Sequence, residues 1–151
     1  AGRARVFQVR FSDATNEVTD AEIEHVRELP DVQHLFLDGT EITDAGLACI
    51  KGLLDLEVLY LHGTRITDAG LEHIHDLPRL RFVTLDNTPV TGSGLRHLRN
   101  LPHLQDLSLD DAQLTDAALT HLTTLPQLQD LSLSNTRVTN AGLQHLSELT
   151  M

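Results

Sequence analysis

The stretch that decides the fold of this 151-residue chain is Leu59-Tyr60-Leu61-His62-Gly63-Thr64-Arg65-Ile66-Thr67-Asp68-Ala69-Gly70-Leu71. Copies of this stretch recur every 24 residues, and five of them align along the chain. Self-similarity at a fixed period of about 20 to 50 residues is typical of repeat architectures, in which each unit stacks on its neighbours. The sequence therefore predicts a stack of identical units, with its function on a repeated surface rather than in a single pocket.

Within each copy the apolar spacing changes from two residues to three. The first spacing is typical of a strand and the second of a helix. The strand positions are Leu35, Leu59, Val83, Leu107 and Leu131, followed two residues later by Leu37, Leu61, Leu85, Leu109 and Leu133. The helix positions are Leu47, Leu71, Leu95, Leu119 and Leu143, then Ile50, Ile74, Leu98, Leu122 and Leu146, then Leu53, Leu77, Leu101, Leu125 and Leu149. One unit cannot bury this face alone, so we expect stacked copies to share one core.

The repeat resembles the leucine-rich repeat family, in the subclass whose units read L-x-x-L-x-L-x-x-T/C-x-I-T-D-A-G-L-x-x-L. The resemblance covers about residues 18 to 149. That subclass is best known from F-box substrate receptors of ubiquitin ligases, although this chain has no F-box, and similar Thr-Asp-Ala-Gly-Leu arrays occur in bacterial proteins. The resemblance implies an α/β fold, a leucine-rich repeat solenoid forming a short right-handed horseshoe. Its parallel strands would line the concave face and its helices the convex face.

The predicted domain organisation is a single leucine-rich repeat domain over residues 1–151. Residues 1–30 hold an N-terminal strand and a divergent first repeat, and residues 31–149 hold the five regular repeats. The extra strand is expected over Val6–Phe11, with Phe7, Val9 and Phe11 turned inward. No polar cap follows the last repeat, so four of its apolar residues should meet water: Leu131, Leu133, Val138 and Leu143. A trimmed larger protein, tolerated fraying, and an end-to-end homodimer through this uncapped repeat all remain open.

Several repeated polar or small positions have predicted structural roles. Threonines at the helix starts should act as N-caps, and acidic residues after them should favour the helix macrodipole. Glycines two residues further on should let the helices approach the sheet, and threonines after the strands should form a ladder of hydroxyls that satisfies loop backbone groups. The N-cap threonines are Thr43, Thr67, Thr91 and Thr115, and the acidic residues are Asp44, Asp68 and Asp116. The glycines are Gly46, Gly70, Gly94 and Gly142, and the ladder threonines are Thr40, Thr64, Thr88 and Thr136. The departures are Gly92 in copy three and Ala112 and Ala118 in copy four.

Composition narrows the choice of partners. The net charge is −11, which argues against nucleic acid and anionic membranes as partners. The single cysteine, Cys49, permits no disulfide within the chain. No apolar run is long enough to span a membrane, and no signal peptide is evident. The compartment stays open, with the cytoplasm favoured.

The outward side chains of the strands form three columns across the concave face. Neighbours within a column touch, because adjacent parallel strands lie about 4.8 Å apart. The N-terminal half of this face carries an apolar patch of Phe36, Val58, Tyr60 and Phe82, which Arg10 should flank. Contiguous exposed aromatics mark binding sites, although aromatics are also common simply as strand formers. We therefore expect these residues to anchor a partner.

The C-terminal half of the same face is acidic, with Asp86, Asp106, Asp110 and Asp130 as partner-binding candidates and Asp111 beside them. Like charges on adjacent strands repel, so a basic segment of a partner would stabilise them. Two alternatives are a solvated acidic surface and a hard cation such as calcium, but a flat sheet converges too few oxygens for calcium.

Neither a catalytic nor a metal site is predicted, and no cofactor. The histidines His25, His73, His97, His121 and His145 occupy one repeated helix position, and such a column spreads ligands apart instead of converging them on one ion. The chain has no Gly-rich phosphate loop and no nucleophile elbow. The sequence therefore predicts a non-enzymatic module that binds another protein, through a basic or apolar segment of it, on the concave face. The alternative is a structural spacer of a larger repeat protein with no ligand of its own.

Overall fold

The computed structural model describes residues 7–11, 18–125 and 127–146. Six short strands form one parallel sheet, in which their order in space follows their order in the chain. The strands are β1 Gln8–Arg10, β2 His34–Phe36, β3 Val58–Tyr60, β4 Phe82–Thr84, β5 Asp106–Ser108 and β6 Asp130–Ser132. The predicted parallel solenoid is therefore confirmed, and the strand added before the regular repeats is β1.

The register of the sheet follows the 24-residue period. Leu35 pairs with Leu59, Leu59 with Val83, and the same column continues through Leu107 to Leu131. These central residues point inward and, from Leu35 to Leu107, are buried in one continuous apolar core. Because every repeat places equivalent residues on the same face, two of the three predicted concave columns, those through Phe82 and Tyr60, are columns of the sheet, and the third, through Asp86, follows the strand ends.

The convex side is built from shorter and tighter helices than the sequence pattern indicates. The α-helices are Asp20–Ile23, Asp44–Leu47 and Asn140–Leu146, and the 3₁₀ helices are Glu24–Glu28, Ala48–Ile50, Gly70–His73, Ser93–Asn100 and Asp116–His121. A 3₁₀ helix has three residues per turn and is therefore narrower than an α-helix. Narrow elements suit repeats whose strands are only about 4.8 Å apart on the opposite side. No helix among the described residues is long and apolar enough to span a membrane.

A left-handed residue closes the turn after each regular strand, a feature the sequence patterns did not reveal. The positions are Gly39, Gly63, Asn87, Asp111 and Asn135, with φ between +51° and +69°. Only Gly, Asn and Asp occupy this slot, and these residue types tolerate positive φ best. The threonine that follows it donates its hydroxyl to the strand carbonyl three residues earlier, as from Thr64 to Leu61 at 2.8 Å. The predicted hydroxyl ladder is confirmed at Thr40, Thr64, Thr88 and Thr136.

A carboxylate clasp ties one repeat to the next at four junctions along the convex side. The carboxylate at one helix start accepts two hydrogen bonds, one from the backbone amide and one from the hydroxyl of the threonine one repeat later. Asp44, for example, accepts from the Thr67 amide at 2.8 Å and from its hydroxyl at 2.7 Å. The clasped pairs are Asp20 with Thr43, Asp44 with Thr67, Asp68 with Thr91, and Asp116 with Thr139.

The clasp also corrects the predicted role of the repeated glycines. A Cβ at Gly70 would come within 2.3 Å of the Asp44 carboxylate, so the glycine makes room for the clasp of the preceding repeat rather than for the sheet. The Thr67 hydroxyl accepts the Ala69 amide hydrogen at 3.2 Å, but the helix there begins at Gly70 and its N-cap is Ala69. N-capping by the threonine is confirmed at Thr43, whose hydroxyl accepts the Ala45 amide hydrogen at 3.2 Å. It is wrong at Thr115, whose side chain makes no capping bond, and at Thr91, because the helix there is preceded by Gly92.

At the two ends of the sheet the apolar residues are less covered. Val9 and Phe11 pack against the core as predicted, but Phe7 is 49% exposed, which contradicts its inward assignment. In the last repeat three of the four residues expected to meet water are half-buried, and Leu143 is 48% exposed. Val6, Pro126 and Leu149 lie outside the described residues. The predicted division of the domain and the end-to-end homodimer stay predictions.

Candidate functional site

The concave face brings the predicted aromatic residues together. Phe36 pairs with Tyr60 across β2 and β3, and their rings stack with centroids 4.8 Å apart and planes 12° from parallel. Tyr60 also contacts Phe82, which lies on the next strand two residues before Thr84, the register partner of Tyr60; the ring centroids are 5.0 Å apart and the planes are tilted by 42°. Val58 lies between His34 and Phe82 in the neighbouring column. Phe36, Tyr60 and Phe82 thus form an aromatic stack that runs across three strands, and each of the three side chains is half-buried.

Arg10 closes the N-terminal end of the aromatic stack. Its guanidinium carbon lies 3.9 Å from the centroid of the Phe36 ring, because β1 pairs with β2 and sets Arg10 beside Phe36. A guanidinium held over a ring at this distance makes a cation–π contact, which stabilises by about 0.5–1 kcal/mol at an exposed site. The prediction that Arg10 flanks Phe36 is confirmed.

An acidic groove follows the aromatic stack on its C-terminal side. Its volume is about 440 Å³, and Phe82 forms one wall. The other lining residues are Thr84, Asp86, Asp106, Leu107, Ser108, Asp130, Leu131 and Ser132. Three of the four predicted acidic residues line this groove, and the fourth, Asp110, reaches it through a hydrogen bond from the Ser132 hydroxyl at 2.6 Å. Thr84, Ser108 and Ser132 were not predicted as site residues.

The four acidic residues divide into two kinds. Asp86 and Asp110 accept backbone amide hydrogens from the next repeat, from Asp110 at 2.8 Å and from Ser134 at 2.6 Å. Asp38 does the same for the His62 amide at 3.0 Å. These carboxylates therefore hold neighbouring repeats in register, a role that the sequence did not reveal.

Asp106 and Asp130 are the second kind, since they face each other across β5 and β6. Burial raises the pKa of Asp106, the Asp130 carboxyl raises it further, and Arg81 opposes them only in part. Arg81 donates to the Gln105 side chain at 3.1 Å. The raised pKa of Asp106 agrees with the predicted repulsion, and no basic side chain among the described residues forms an ion pair with either aspartate. Arg65, in the turn after β3, pairs with Glu41.

The histidine column makes no metal site in the part of the chain that the structure describes. No group of three or more His, Cys, Asp or Glu side chains there is placed to hold an ion. Burial lowers the pKa of His73, with Lys51 the next cause, and burial followed by Arg96 lowers that of His97. Cys49, in the same repeated position, is half-buried and accepts a hydrogen bond from Arg27 at 3.4 Å.

Comparison with known proteins supports the fold. Neither a protein-family model nor a curated protein matches this chain. Among solved structures it is similar to an internalin (inlF) from Listeria monocytogenes, with a TM-score of 0.75, 25% identity and 89% of this chain covered. It is also similar to an internalin C2 (inlC2) from the same organism, with a TM-score of 0.71, 28% identity and 84% covered.

The chain spans 36% of the first of these structures and 52% of the second. Together with the six-stranded parallel sheet, the likeness shows that the fold is a leucine-rich repeat solenoid. Solenoids of this kind offer an extended concave surface for recognition. The narrower subclass and the resemblance to ubiquitin-ligase receptors stay predictions.

Proposed function

We propose that this chain is a non-enzymatic protein-interaction module that binds a partner protein on its concave face. The aromatic stack is the apolar anchor, with Val58 beside it. The carboxylates of Asp86, Asp106, Asp110 and Asp130 select a partner with a basic segment. The observation that carries this proposal is the aromatic stack itself, three contiguous rings aligned on a surface rather than in the core.

Two physical arguments support the aromatic anchor. Contiguous apolar surface is an aggregation risk for a protein that does not use it, so its presence on an open sheet face favours a binding role. Stacked rings also lose little conformational entropy on binding, because their contacts with one another already hold them in place. Aromatic residues are enriched among the few side chains that supply most of the binding energy of interfaces.

The charge of the chain supports the choice of partner class. A net charge of −11 disfavours nucleic acid and anionic membranes, which are themselves negative. A protein with a basic segment gains from the same field, because complementary potentials speed association and fix orientation.

The alternative function is a structural spacer, and one observation favours it. Asp86 and Asp110 already hold neighbouring repeats together, so part of the acidic patch is explained without a partner. A spacer, however, has no need of an aromatic stack on its surface. Removal of the three rings should therefore abolish partner binding by an interaction module and leave the role of a spacer unchanged.

The test is a quantitative affinity capture from lysate of the source cells with three forms of the chain. They are the wild type, the triple variant Phe36→Ala/Tyr60→Ala/Phe82→Ala, and Leu54→Ala, which removes an apolar side chain that is 56% exposed outside the concave strands. Thermal unfolding first establishes that all three are folded. A protein retained by the wild type and by Leu54→Ala but reduced at least about tenfold with the triple variant is expected. Equal recovery by all three forms would leave the spacer as the better account.

A further inference from the structure

The two ends of the aromatic stack differ in one respect. At the N-terminal end the Phe36 ring is covered by the Arg10 guanidinium, whose carbon lies 3.9 Å from the ring centroid. At the C-terminal end the Phe82 ring forms a wall of the acidic groove. Among the described residues no cation lies over Phe82, so a position equivalent to that of Arg10 is open there.

The groove beside Phe82 also has the electrostatics of a cation site. Phe82 pairs with Asp106, and Asp106 pairs with Asp130, so one ring and two carboxylates follow one another along a single column. Asp86 and Asp110 are engaged by backbone amides, which leaves Asp106 and Asp130 as the carboxylates available to a ligand. Burial raises the pKa of Asp106, the Asp130 charge raises it further, and a cation bound between the two carboxylates would remove their repulsion.

We infer that the acidic groove receives an arginine side chain from an extended basic segment of the partner protein, its guanidinium lying against the Phe82 ring and pairing with the carboxylates of Asp106 and Asp130. This inference rests on the proposed function and names the chemistry that the partner must carry. It repeats, between two proteins, the arrangement that Arg10 and Phe36 make within the chain.

Guanidinium fits this site better than other cations do. It is planar, so it can lie flat on an aromatic face, and its N–H donors form a fork that two carboxylates can share. A lysine ammonium is a compact, strongly hydrated point charge and uses the ring and the paired carboxylates less well. Calcium needs about six to eight converging oxygens, whereas an open column of the sheet presents two free carboxylates.

Two serines that were not predicted as site residues also belong to the acidic groove. Ser108 lies on β5 in the column next to that of Asp106, and its register partner on β6, Ser132, donates to Asp110. Both serines line the groove. Their backbone amides are therefore reporters of occupancy that do not themselves belong to the ring or to the carboxylate pair.

The test uses N-acetyl-arginine amide as the probe, titrated into the ¹⁵N-labelled chain and followed by NMR. N-acetyl-lysine amide and N-acetyl-citrulline amide are the matched ligands, since citrulline keeps the shape of arginine and loses its charge. The protein variants are Asp106→Asn/Asp130→Asn, which keeps the side-chain volumes, and Phe82→Leu, which keeps an apolar wall without the ring. Asp76→Asn is the control, an exposed carboxylate on the helical side.

We expect saturable shifts at Phe82, Ser108 and Ser132 with the arginine probe. Its affinity should fall by about tenfold or more in Asp106→Asn/Asp130→Asn and by about threefold in Phe82→Leu, and stay unchanged in Asp76→Asn. The proposal is overturned by the absence of saturable shifts, by equal affinity for lysine or citrulline, or by equal affinity of the double Asn variant. Self-association of the wild type that disappears in the double Asn variant would assign the groove to a second copy of the chain and would also overturn it.

Failure of this inference can be told from failure of the proposed function. If the double Asn variant captures the partner as well as the wild type does, while the triple aromatic variant loses it, concave binding stands and the arginine assignment is wrong. If the triple aromatic variant keeps the partner, the proposed function itself is wrong whatever the probe does.

Discussion

At the residue scale the most informative side chain is Asp68, which holds two repeats together through one carboxylate. It accepts from the Thr91 hydroxyl at 2.5 Å, the Ser93 hydroxyl at 2.7 Å and the Gly92 amide at 3.2 Å. Burial works to raise the pKa of Asp68, but these hydrogen bonds outweigh it and lower the pKa below its ordinary value near 3.8. The charged form is therefore the one that the fold prefers.

Asp68→Asn should lower the free energy of unfolding at pH 7 by about 1–2 kcal/mol, because it removes charge-assisted hydrogen bonds from a partly buried group. The contribution of a carboxyl with a lowered pKa is present above its ordinary value and is lost as the pH falls through the lowered one. The gap between wild type and variant should thus close below about pH 4. Urea denaturation across this range measures it. Asp76→Asn is the control, since its surface pair with His75 contributes little. A gap independent of pH would contradict the assignment.

Asp106→Asn should have the opposite effect. Because the pKa of Asp106 is raised in the fold, ionising it costs stability, and that cost appears as the pH rises through the raised value. At pH 7 the variant should be more stable than the wild type by up to about 0.5–1 kcal/mol, the usual size of a cross-strand charge effect. The advantage should vanish below the ordinary value near 3.8. A variant that is less stable than the wild type at pH 7 would show that the Asp130 charge does not disfavour ionisation of Asp106. A groove that binds a cation is expected to carry such a cost in stability at its carboxylate pair.

At the element scale, each helix start packs against the helix start of the next repeat through a matched pair of residues. In four junctions the pair is an aspartate and a glycine, as with Asp44 and Gly70. In the fifth junction the larger and the smaller residue are exchanged, because Gly92 occupies the aspartate position and Ala118 occupies the glycine position. A Cβ at Gly92 would meet the Ala118 Cβ at 2.3 Å. Two departures that look unrelated in the sequence are therefore one compensated change, which also explains why Thr115 has no clasp.

The double variant Gly92→Asp/Ala118→Gly should rebuild the clasp onto Thr115, whereas each single variant should destabilise. Gly92→Asp alone collides with Ala118 and forces an L-residue to a φ of +113°. Ala118→Gly alone loses buried volume and costs about 1 kcal/mol in helix propensity. A double-mutant cycle by urea denaturation should give a favourable coupling of about 1–2 kcal/mol. Additive effects of the two substitutions would show that these positions do not compensate each other.

At the scale of the whole molecule, stability should vary along the stack, because each repeat contacts only its neighbours. Leu59 and Leu61, around the middle of the sheet, are fully buried, whereas Leu131 and Leu133 in the last repeat are half-buried. Opening of the last repeat therefore exposes less new apolar surface than opening of the middle does.

In the 151-residue chain the amides of β6 should exchange with solvent hydrogen at least about tenfold faster than those of β3. Tenfold corresponds to about 1.4 kcal/mol of difference in opening free energy. Native-state hydrogen exchange followed by NMR measures both strands in one experiment, so each serves as the reference for the other. Equal protection in the two strands would mean that the solenoid opens only as one cooperative unit.

The repeat, the parallel sheet, the core and the concave columns that bring Phe36, Tyr60 and Phe82 together could all be predicted from the amino-acid sequence. This is possible because a strict period places equivalent residues on one face of every unit, and burial of the leucines then leaves one register. The carboxylate clasp, the exchange of Gly92 and Ala118, and the division of the acidic residues into bonded and available pairs became visible only in the folded chain. Each of these depends on distances between atoms about one repeat apart in the chain, which short-range patterns within a single repeat do not contain.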